Sequence, residues 1–223
     1  MDVVRPSTTI ERKVENSAGA VRLPGILRLP LGPRGVVLFA HGSGSGRFSP
    51  RNQYVARVLE EAGFATLLLD LLTEPESEDR SYVFDIPLLA DRLRAATTWV
   101  GGDPDTRGLP IGYFGASTGA GAALVAAAEE RARIGAVVSR GGRPDLADGA
   151  LERVVSPTRL IAGGYDGLVV ELNQTALEHL RAPKDLVIVP RATHLFEEPG
   201  ALEEVARLAS EWFSRYLARK RKA

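Results

Sequence analysis

The residues most able to do chemistry lie around Ser117, in the segment Gly115-Ala116-Ser117-Thr118-Gly119. The apolar residues before this segment predict a short buried strand, and the alanine-rich run after it predicts a helix. In that context Gly-x-Ser-x-Gly predicts a sharp strand-to-helix turn that exposes the serine hydroxyl. The helix N-terminus would then point its N–H groups at the place where negative charge develops. Glycine and serine can also simply make a tight connection, so a nucleophile is predicted only if a base and an acid accompany it.

The base is expected among three histidines. His194 follows the last predicted strand, and loops at the carboxyl ends of parallel strands share one edge of the sheet. A neutral imidazole there can accept the proton of a serine hydroxyl. His41, directly before a glycine-rich loop, is expected to bond local backbone, and His179 is expected on a helix surface. The sequence therefore predicts His194 as the base.

The acid is expected to be Asp166, in the loop Gly163-Gly164-Tyr165-Asp166-Gly167 after another predicted strand. It would accept the second imidazole N–H, fix the tautomer and stabilise the imidazolium. The chain order Ser117, Asp166, His194 is the order this architecture uses. Asp145 and Glu197 are competing acids, and Asp166 is preferred because its flanking glycines let the backbone turn it toward the edge.

The sequence pattern around these side chains indicates strands that alternate with helices. This alternation predicts one α/β domain over residues 1–223, with a mostly parallel sheet and helices on both faces. Pro24 is expected to place its strand near an edge of the sheet, and the acidic stretch Leu71 to Tyr82 is expected to be a loop. The predicted strands other than the one before Ser117 are Thr8–Glu15, Ala20–Leu29, Val36–Ala40, Phe64–Leu69, Ile134–Ser139, Thr158–Ala162 and Leu186–Val189.

Composition excludes several classes of protein. Lys+Arg and Asp+Glu are both 28, which argues against a nucleic-acid partner. With no cysteine and no paired-histidine spacing, no disulfide, metal site or other cofactor is expected. No signal-peptide core or membrane-spanning stretch is visible, so a cytoplasmic protein without membrane contact is expected, its oligomeric state open. The terminal Arg219-Lys220-Arg221-Lys222 is expected to be a solvated helix end.

These residues resemble the α/β-hydrolase superfamily and, within it, the dienelactone hydrolase family. The matching pieces are His41-Gly42-Ser43-Gly44-Ser45, the Ser117 pentapeptide, the Asp166 loop and His194. The resemblance implies the α/β-hydrolase fold, without a cap domain because the connection from Ser139 to Thr158 is short. It also implies an oxyanion hole built from the N–H groups of Ser43 and Thr118.

The family usually has cysteine where this chain has Ser117. The resemblance therefore implies a general serine hydrolase that cleaves carboxylic esters, lactones or thioesters through an acyl-enzyme on Ser117. An acyltransferase would use the same residues, and a non-catalytic binding protein could share the fold. A dinucleotide-binding loop at Gly42 to Gly46 is disfavoured, because the third glycine of that fingerprint would fall on Arg47.

The expected partner is a small-molecule ester, whose identity the sequence leaves open. Arg140 and Arg143 follow the strand beside the predicted nucleophile and are candidate substrate-binding residues for a carboxylate or phosphate. The alternative is that they pair with Asp145 or Asp148 nearby.

Overall fold

Residues 9–217 are described by a computed structural model, and they form one eight-stranded sheet with helices on both faces. Thr8, the predicted start of the first strand, and the basic segment Arg219 to Lys222 lie outside the described residues. The strand order is β1-β2-β4-β3-β5-β6-β7-β8. From β4 to β8 every neighbouring pair is parallel, while β2 is antiparallel to both β1 and β4.

The strands are β1 (Ile10–Ala18), β2 (Val21–Leu29), β3 (Val36–Ala40), β4 (Ala65–Leu69), β5 (Ile111–Ala116), β6 (Ile134–Arg140), β7 (Thr158–Gly163) and β8 (Lys184–Val189). The α-helices are α1 (Pro50–Glu61), α2 (Glu74–Glu78), α3 (Arg80–Val83), α4 (Ile86–Gly102), α5 (Thr118–Glu130), α6 (Gly167–His179) and α7 (Ala201–Tyr216). Two 3₁₀ segments, Arg131–Arg133 and Pro144–Arg153, flank β6.

The core has two layers because the central strands are covered on both faces. Every residue of β3, β4 and β5 is buried, as expected for continuous apolar strands. Apolar side chains of α4, α5 and α6 pack on one face, and those of α1 and α7 pack on the other. This arrangement holds the carboxyl ends of β3 to β8 along a single edge.

Pro24 lies on a strand near an edge of the sheet, as expected, although not on the edge strand itself. The edge strand is β1, whereas β2 lies second and pairs on both sides. Pro24 is tolerated because pairing with β4 covers only Gly25 to Arg28, so the missing N–H falls beyond that ladder.

The stretch Leu71 to Tyr82, predicted to be a loop, instead contains α2 and most of α3. Glu76 accepts a hydrogen bond from Thr73 N at 2.8 Å and two from Arg92 on α4, both at 2.7 Å. Thr73 and Glu76 form a capping box, a local start signal that the prediction overlooked, whereas the Arg92 partner is distant in sequence. None of the helices within residues 9–217 has the length and apolar character that crossing a bilayer requires.

Candidate active site

Ser117 lies on a strained turn between β5 and α5. Its φ of 50° and ψ of −122° are values that residues with side chains rarely adopt. The turn is held by backbone bonds: Ser117 N donates to Arg140 O at 3.3 Å, and Ser117 O accepts from Arg143 N at 3.1 Å. The loop after β6 therefore holds the serine from both sides.

The two glycines of the pentapeptide are required by close packing. A Cβ on Gly115 would lie 2.5 Å from the Cα of Ala120, and one on Gly119 would overlap the carbonyl oxygens of Ala40 and His41. Gly42, from the loop after β3, is also closely packed, since a Cβ there would lie 2.9 Å from the Cβ of Ser117. The glycine-rich loop therefore packs directly against the serine.

Asp166 and His194 meet on the same edge of the sheet. His194 Nδ1 lies 2.7 Å from Asp166 Oδ2, and the two side chains are 38% and 19% exposed. Their loops are joined by a bond of 2.9 Å from Tyr165 N to Ala192 O, and a Cβ on Gly163 would overlap Ala192 O. A charged carboxylate in this position accepts the Nδ1–H and leaves Nε2 as the proton acceptor.

The loop after β6 lies directly against His194. A Cβ on Gly141 would lie 3.1 Å from His194 O and 3.6 Å from His194 Cε1. Among residues 9–217 no hydrogen bond joins the Ser117 hydroxyl to His194. Catalytic hydrogen bonds often form only once substrate is bound.

The competing acids are engaged elsewhere. Asp145 receives two bonds from Arg143, at 2.8 and 2.7 Å, and Glu197 pairs with Arg51 at 3.3 Å. Of the two remaining histidines, His179 is exposed and lies 3.7 Å from Glu152.

His41 is buried and serves as a structural link. Its Nδ1 lies 3.0 Å from Gly42 O, and its Nε2 accepts from Leu71 N at 2.9 Å, which defines a neutral ring with the proton on Nδ1. Burial lowers the pKa of His41, outweighing the opposite effects of Gly42 O and Asp70. This histidine ties the end of β3 to the segment after β4.

The two N–H groups expected at an oxyanion hole differ in whether they already have a hydrogen-bond partner. Thr118 is the first residue of α5, so its N–H has no partner within the helix. Ser43 N donates to the Thr118 hydroxyl at 3.1 Å, which brings the glycine-rich loop to the N-terminus of α5. For Ser43 N to bind an oxyanion, this bond must be exchanged or shared.

Asp70 holds the far end of the glycine-rich loop, a role that the sequence reasoning missed. It accepts from Arg47 N at 2.7 Å and forms a salt bridge with the Arg47 guanidinium. A Cβ on Gly46 would lie 2.8 Å from Asp70 Oδ1. The only sequence signal is that an acidic residue directly follows the apolar strand β4.

A cavity of about 820 Å³ opens beside the glycine-rich loop. Its lining includes Gly42, Ser43 and Thr118, together with residues of 70–89 such as Leu72 and Val83. Neither Ser117 nor His194 lines it, so it adjoins the nucleophile and does not contain it. Such a cavity is large enough for a small organic group.

The two candidate substrate-binding arginines have different environments. Arg143 is committed to Asp145, as described above. Arg140 is 5% exposed, and its Nη2 donates to Asn52 Oδ1 on α1 at 3.2 Å. Among residues 9–217 no carboxylate forms a salt bridge with it. No group of three or more His, Asp or Glu side chains arranged to hold a metal ion occurs in this part of the chain.

A dienelactone hydrolase from Anabaena variabilis is 61% identical to this chain. Its crystal structure superimposes with a TM-score of 0.91, and the match covers 94% of this chain and 99% of that one. The chain belongs to the dienelactone hydrolase family. The predicted α/β-hydrolase fold is thereby confirmed.

More distant structures share the fold of this dienelactone hydrolase-like chain. A dienelactone hydrolase-like promiscuous phosphotriesterase from metagenomic libraries is 21% identical, with a TM-score of 0.79 over 94% of this chain and 99% of that chain. The esterase domain of a Rhodothermus marinus protein is 20% identical, with a TM-score of 0.74 over 95% and 100%. At such identities the likeness concerns the fold alone.

Two curated relatives from Mycobacterium tuberculosis are each 59% identical over 207 residues and carry the name "Putative phosphoribosyl transferase". The match covers 93% of this chain and 47% of each relative, so the chain spans about half the length of the curated relatives it matches. No protein-family profile matches the chain.

Proposed function

We propose that this chain is a serine hydrolase that cleaves carboxylic esters, lactones or thioesters through an acyl-enzyme on Ser117. The observation that carries the proposal is the Asp166–His194 pair, 2.7 Å apart, on the same edge as a serine in a strained strand-to-helix turn. The family supports hydrolysis in general, and the ester chemistry and its residues are our proposal.

In the proposed reaction, His194 Nε2 takes the proton of the Ser117 hydroxyl as its oxygen attacks the carbonyl carbon. The Thr118 N–H and the Ser43 N–H stabilise the negative charge that develops on the carbonyl oxygen. His194 then gives its proton to the departing alcohol. A water molecule, deprotonated by His194, attacks the acyl carbon, and the carboxylic acid leaves as Ser117 regains its proton.

Water is the proposed acyl acceptor because the base is accessible. The His194 side chain is 38% exposed, and within the described residues the connection from β6 to β7 contains the 3₁₀ segment Pro144–Arg153 and no inserted cap domain. An alcohol or thiol acceptor would use the same residues. Measuring product acids and transferred esters in the presence of added glycerol separates the two activities.

We also propose that residues 1–223 act as one α/β-hydrolase unit with a small-molecule ester as partner. The sheet supports this, since one set of eight hydrogen-bonded strands contains the elements that carry Ser117, Asp166 and His194. The curated relatives are about twice as long, and the name they carry applies to those whole proteins.

The test compares wild type with Ser117→Ala on 4-nitrophenyl butyrate and on a fluorophosphonate probe. We expect wild type to hydrolyse the ester and to gain the mass of the phosphonyl group on Ser117. Ser117→Ala should keep the circular dichroism spectrum, lose roughly 10³-fold or more of kcat/KM and remain unlabelled. An alanine variant that retains most of its activity would remove Ser117 as the nucleophile.

A further inference from the structure

Asn173 is a fully buried amide on α6, seven residues, or about two helical turns, after the N-cap residue Asp166. Its Nδ2 donates to Val169 O within the helix at 2.7 Å and to Gly142 O outside it at 3.0 Å. Both partners are carbonyl oxygens, so only the NH₂ group of the amide can face them. The second bond therefore links α6 to the loop after β6.

The peptide group that Asn173 binds is the one that also binds Ser117. The carbonyl of Gly142 and the N–H of Arg143 belong to the same trans peptide, and this N–H donates to Ser117 O at 3.1 Å. The two groups point in opposite directions, so a chain of hydrogen bonds runs from α6 through one peptide to Ser117. Hydrogen bonds in such a chain polarise one another, and the loss of the first is expected to weaken the second.

Gly142 has no side chain of its own with which to hold this peptide. A Cβ there would overlap Ser139 Oγ and lie 2.7 Å from Ala120 Cβ, in the first turn of α5. Glycine also has more backbone freedom than any other residue. The bond from Asn173 is therefore expected to decide which way the Gly142 carbonyl, and with it the Arg143 N–H, points.

Ser117 needs support from outside its own helix because its backbone is strained, with φ at 50°. Its carbonyl accepts from Ala120 N of α5 at 3.0 Å and from Arg143 N of the loop after β6. The first bond moves with α5, whereas the second ties the turn to α6 through Asn173. Since α6 begins directly after Asp166, one helix is linked to both the predicted acid and the predicted nucleophile.

We propose that Asn173 is a positioning residue for the proposed reaction. Through the Gly142–Arg143 peptide it holds the Ser117 backbone in the conformation that directs the hydroxyl, and it acts through Ser117 without binding the substrate. Its kinetic consequences rest on the proposed hydrolase function, whereas the chain of hydrogen bonds can be measured without turnover.

The kinetic test compares wild type with Asn173→Leu and Asn173→Ser on 4-nitrophenyl butyrate. Leucine has a similar volume and no donor, and a serine hydroxyl can bond back to Val169 O but is too short to reach Gly142 O. We expect kcat to fall about 10- to 100-fold in both variants, the effect of leaving a buried carbonyl without its partner, with little change in KM.

Ser139→Ala is the control for that test. It removes a buried hydroxyl beside Gly142 that bonds no group within residues 9–217, and it should keep kcat near wild type. Circular dichroism checks that each variant folds, and if Asn173→Leu does not, Asn173→Ser decides. A folded variant with wild-type kcat, or a loss confined to KM, contradicts the positioning role.

The bonding test measures amide hydrogen exchange by NMR without any substrate. In the Asn173 variants the Arg143 N–H should exchange about 10-fold or more faster than in wild type, because its bond to Ser117 O has lost its support. The Gly141 N–H, which donates to Ile161 O at 2.8 Å, is the internal reference and should change far less. If no ester is hydrolysed, the proposed function fails, and this measurement still decides the link. An unchanged Arg143 rate, or an equal rise at both amides, overturns it.

Discussion

Ser117 stores backbone strain at the position where the proposed covalent bond forms. A residue with a side chain at φ 50° and ψ −122° costs of the order of 1–3 kcal/mol, which the surrounding structure must offset. The offset comes from the backbone bonds to Arg140 and Arg143 and from the close approach of Gly42. This geometry exposes the hydroxyl and fixes its direction.

Asp166→Asn is expected to reduce kcat/KM for esters by about 10³- to 10⁴-fold, because an amide can present its NH₂ to His194 Nδ1 and favour the wrong tautomer. Asp145→Asn and Glu197→Gln are matched controls and should retain activity close to wild type, since those carboxylates pair with Arg143 and Arg51. Steady-state kinetics on one ester decides among the three. If Glu197→Gln lost most of its kcat/KM while Asp166→Asn kept it, the assignment of Asp166 as the acid would be wrong.

His194→Ala is expected to lose about as much activity as Ser117→Ala, roughly 10³-fold or more, because the Ser117 hydroxyl would lose its proposed proton acceptor. His179→Ala is the control, since its ring is exposed and its ion-pair partner among the described residues is Glu152, away from Ser117. Rates measured between pH 5 and 9 add a second criterion. Activity that does not change over that range would remove a histidine base from the mechanism.

Motif and chain order were enough to nominate Ser117, Asp166 and His194, because each follows its own strand. The same reasoning could not separate Arg140 from Arg143, which lie in one short segment. Their difference arises because Arg140 faces α1 at the end of β6, while Arg143 reaches Asp145 in its own loop. Side-chain direction at the end of a strand depends on packing that the sequence does not display.

At the scale of elements, the glycine-rich loop is fixed at two points. Ser43 N bonds to Thr118 at the start of α5, and Arg47 bonds to Asp70 after β4. Between them the backbone includes Gly44 at φ 66°, a left-handed conformation that favours glycine. The position of Ser43 N therefore depends on a carboxylate that does not touch the proposed reaction centre.

Asp70→Asn is expected to lower kcat about 10-fold with little change in KM, because a displaced Ser43 N–H weakens binding of the oxyanion and not of the neutral ester. Asp79→Asn is the control, since within residues 9–217 its carboxylate accepts hydrogen bonds from Ser81 alone and lies outside the cavity. Asp70→Glu should recover part of kcat if the carboxylate positions the loop. A loss confined to KM would assign Asp70 to the cavity wall instead.

Strand and helix positions were predictable where apolar runs were long. The ends of the strands were less predictable: β1 runs to Ala18, three residues beyond the predicted end at Glu15, because its ladder with β2 continues to the pair Ala18 and Val21. The short helices α2 and α3 were missed because they have 5 and 4 residues and no apolar run, although each begins at a local cap, Thr73 with Glu76 and Asp79. For α2 the bonds from Arg92 of α4 add tertiary support to its local cap.

At the scale of the whole molecule, acid stability should respond to the Glu76–Arg92 pair. Hydrogen bonds from Arg92 lower the pKa of Glu76 from 4.5 to about 2. The pair therefore stabilises the fold fully above pH 4.5, and this contribution is lost as the pH falls from 4.5 toward 2. Wild type should be more stable than Glu76→Gln at pH 6, and the gap should shrink toward pH 2.5.

Urea unfolding at several pH values measures that gap. Glu178→Gln, on the exposed side of α6, is the control and should show a small difference from wild type at every pH. If the gap between wild type and Glu76→Gln stays constant from pH 6 to pH 2.5, the ion pair does not contribute through its charge.

The segment 71–85 has a consequence for how this scaffold can diversify. It supplies one wall of the cavity, pairs with no strand of the sheet and is held by Arg92 through Leu71 O and Glu76. Insertions or replacements between those anchors and the Asp85 cap of α4 would leave strand register and the Asp166–His194 pair in place. Natural mutation, or a library of variants confined to this segment, can therefore change which molecules fit the cavity while the proposed catalytic residues keep their positions.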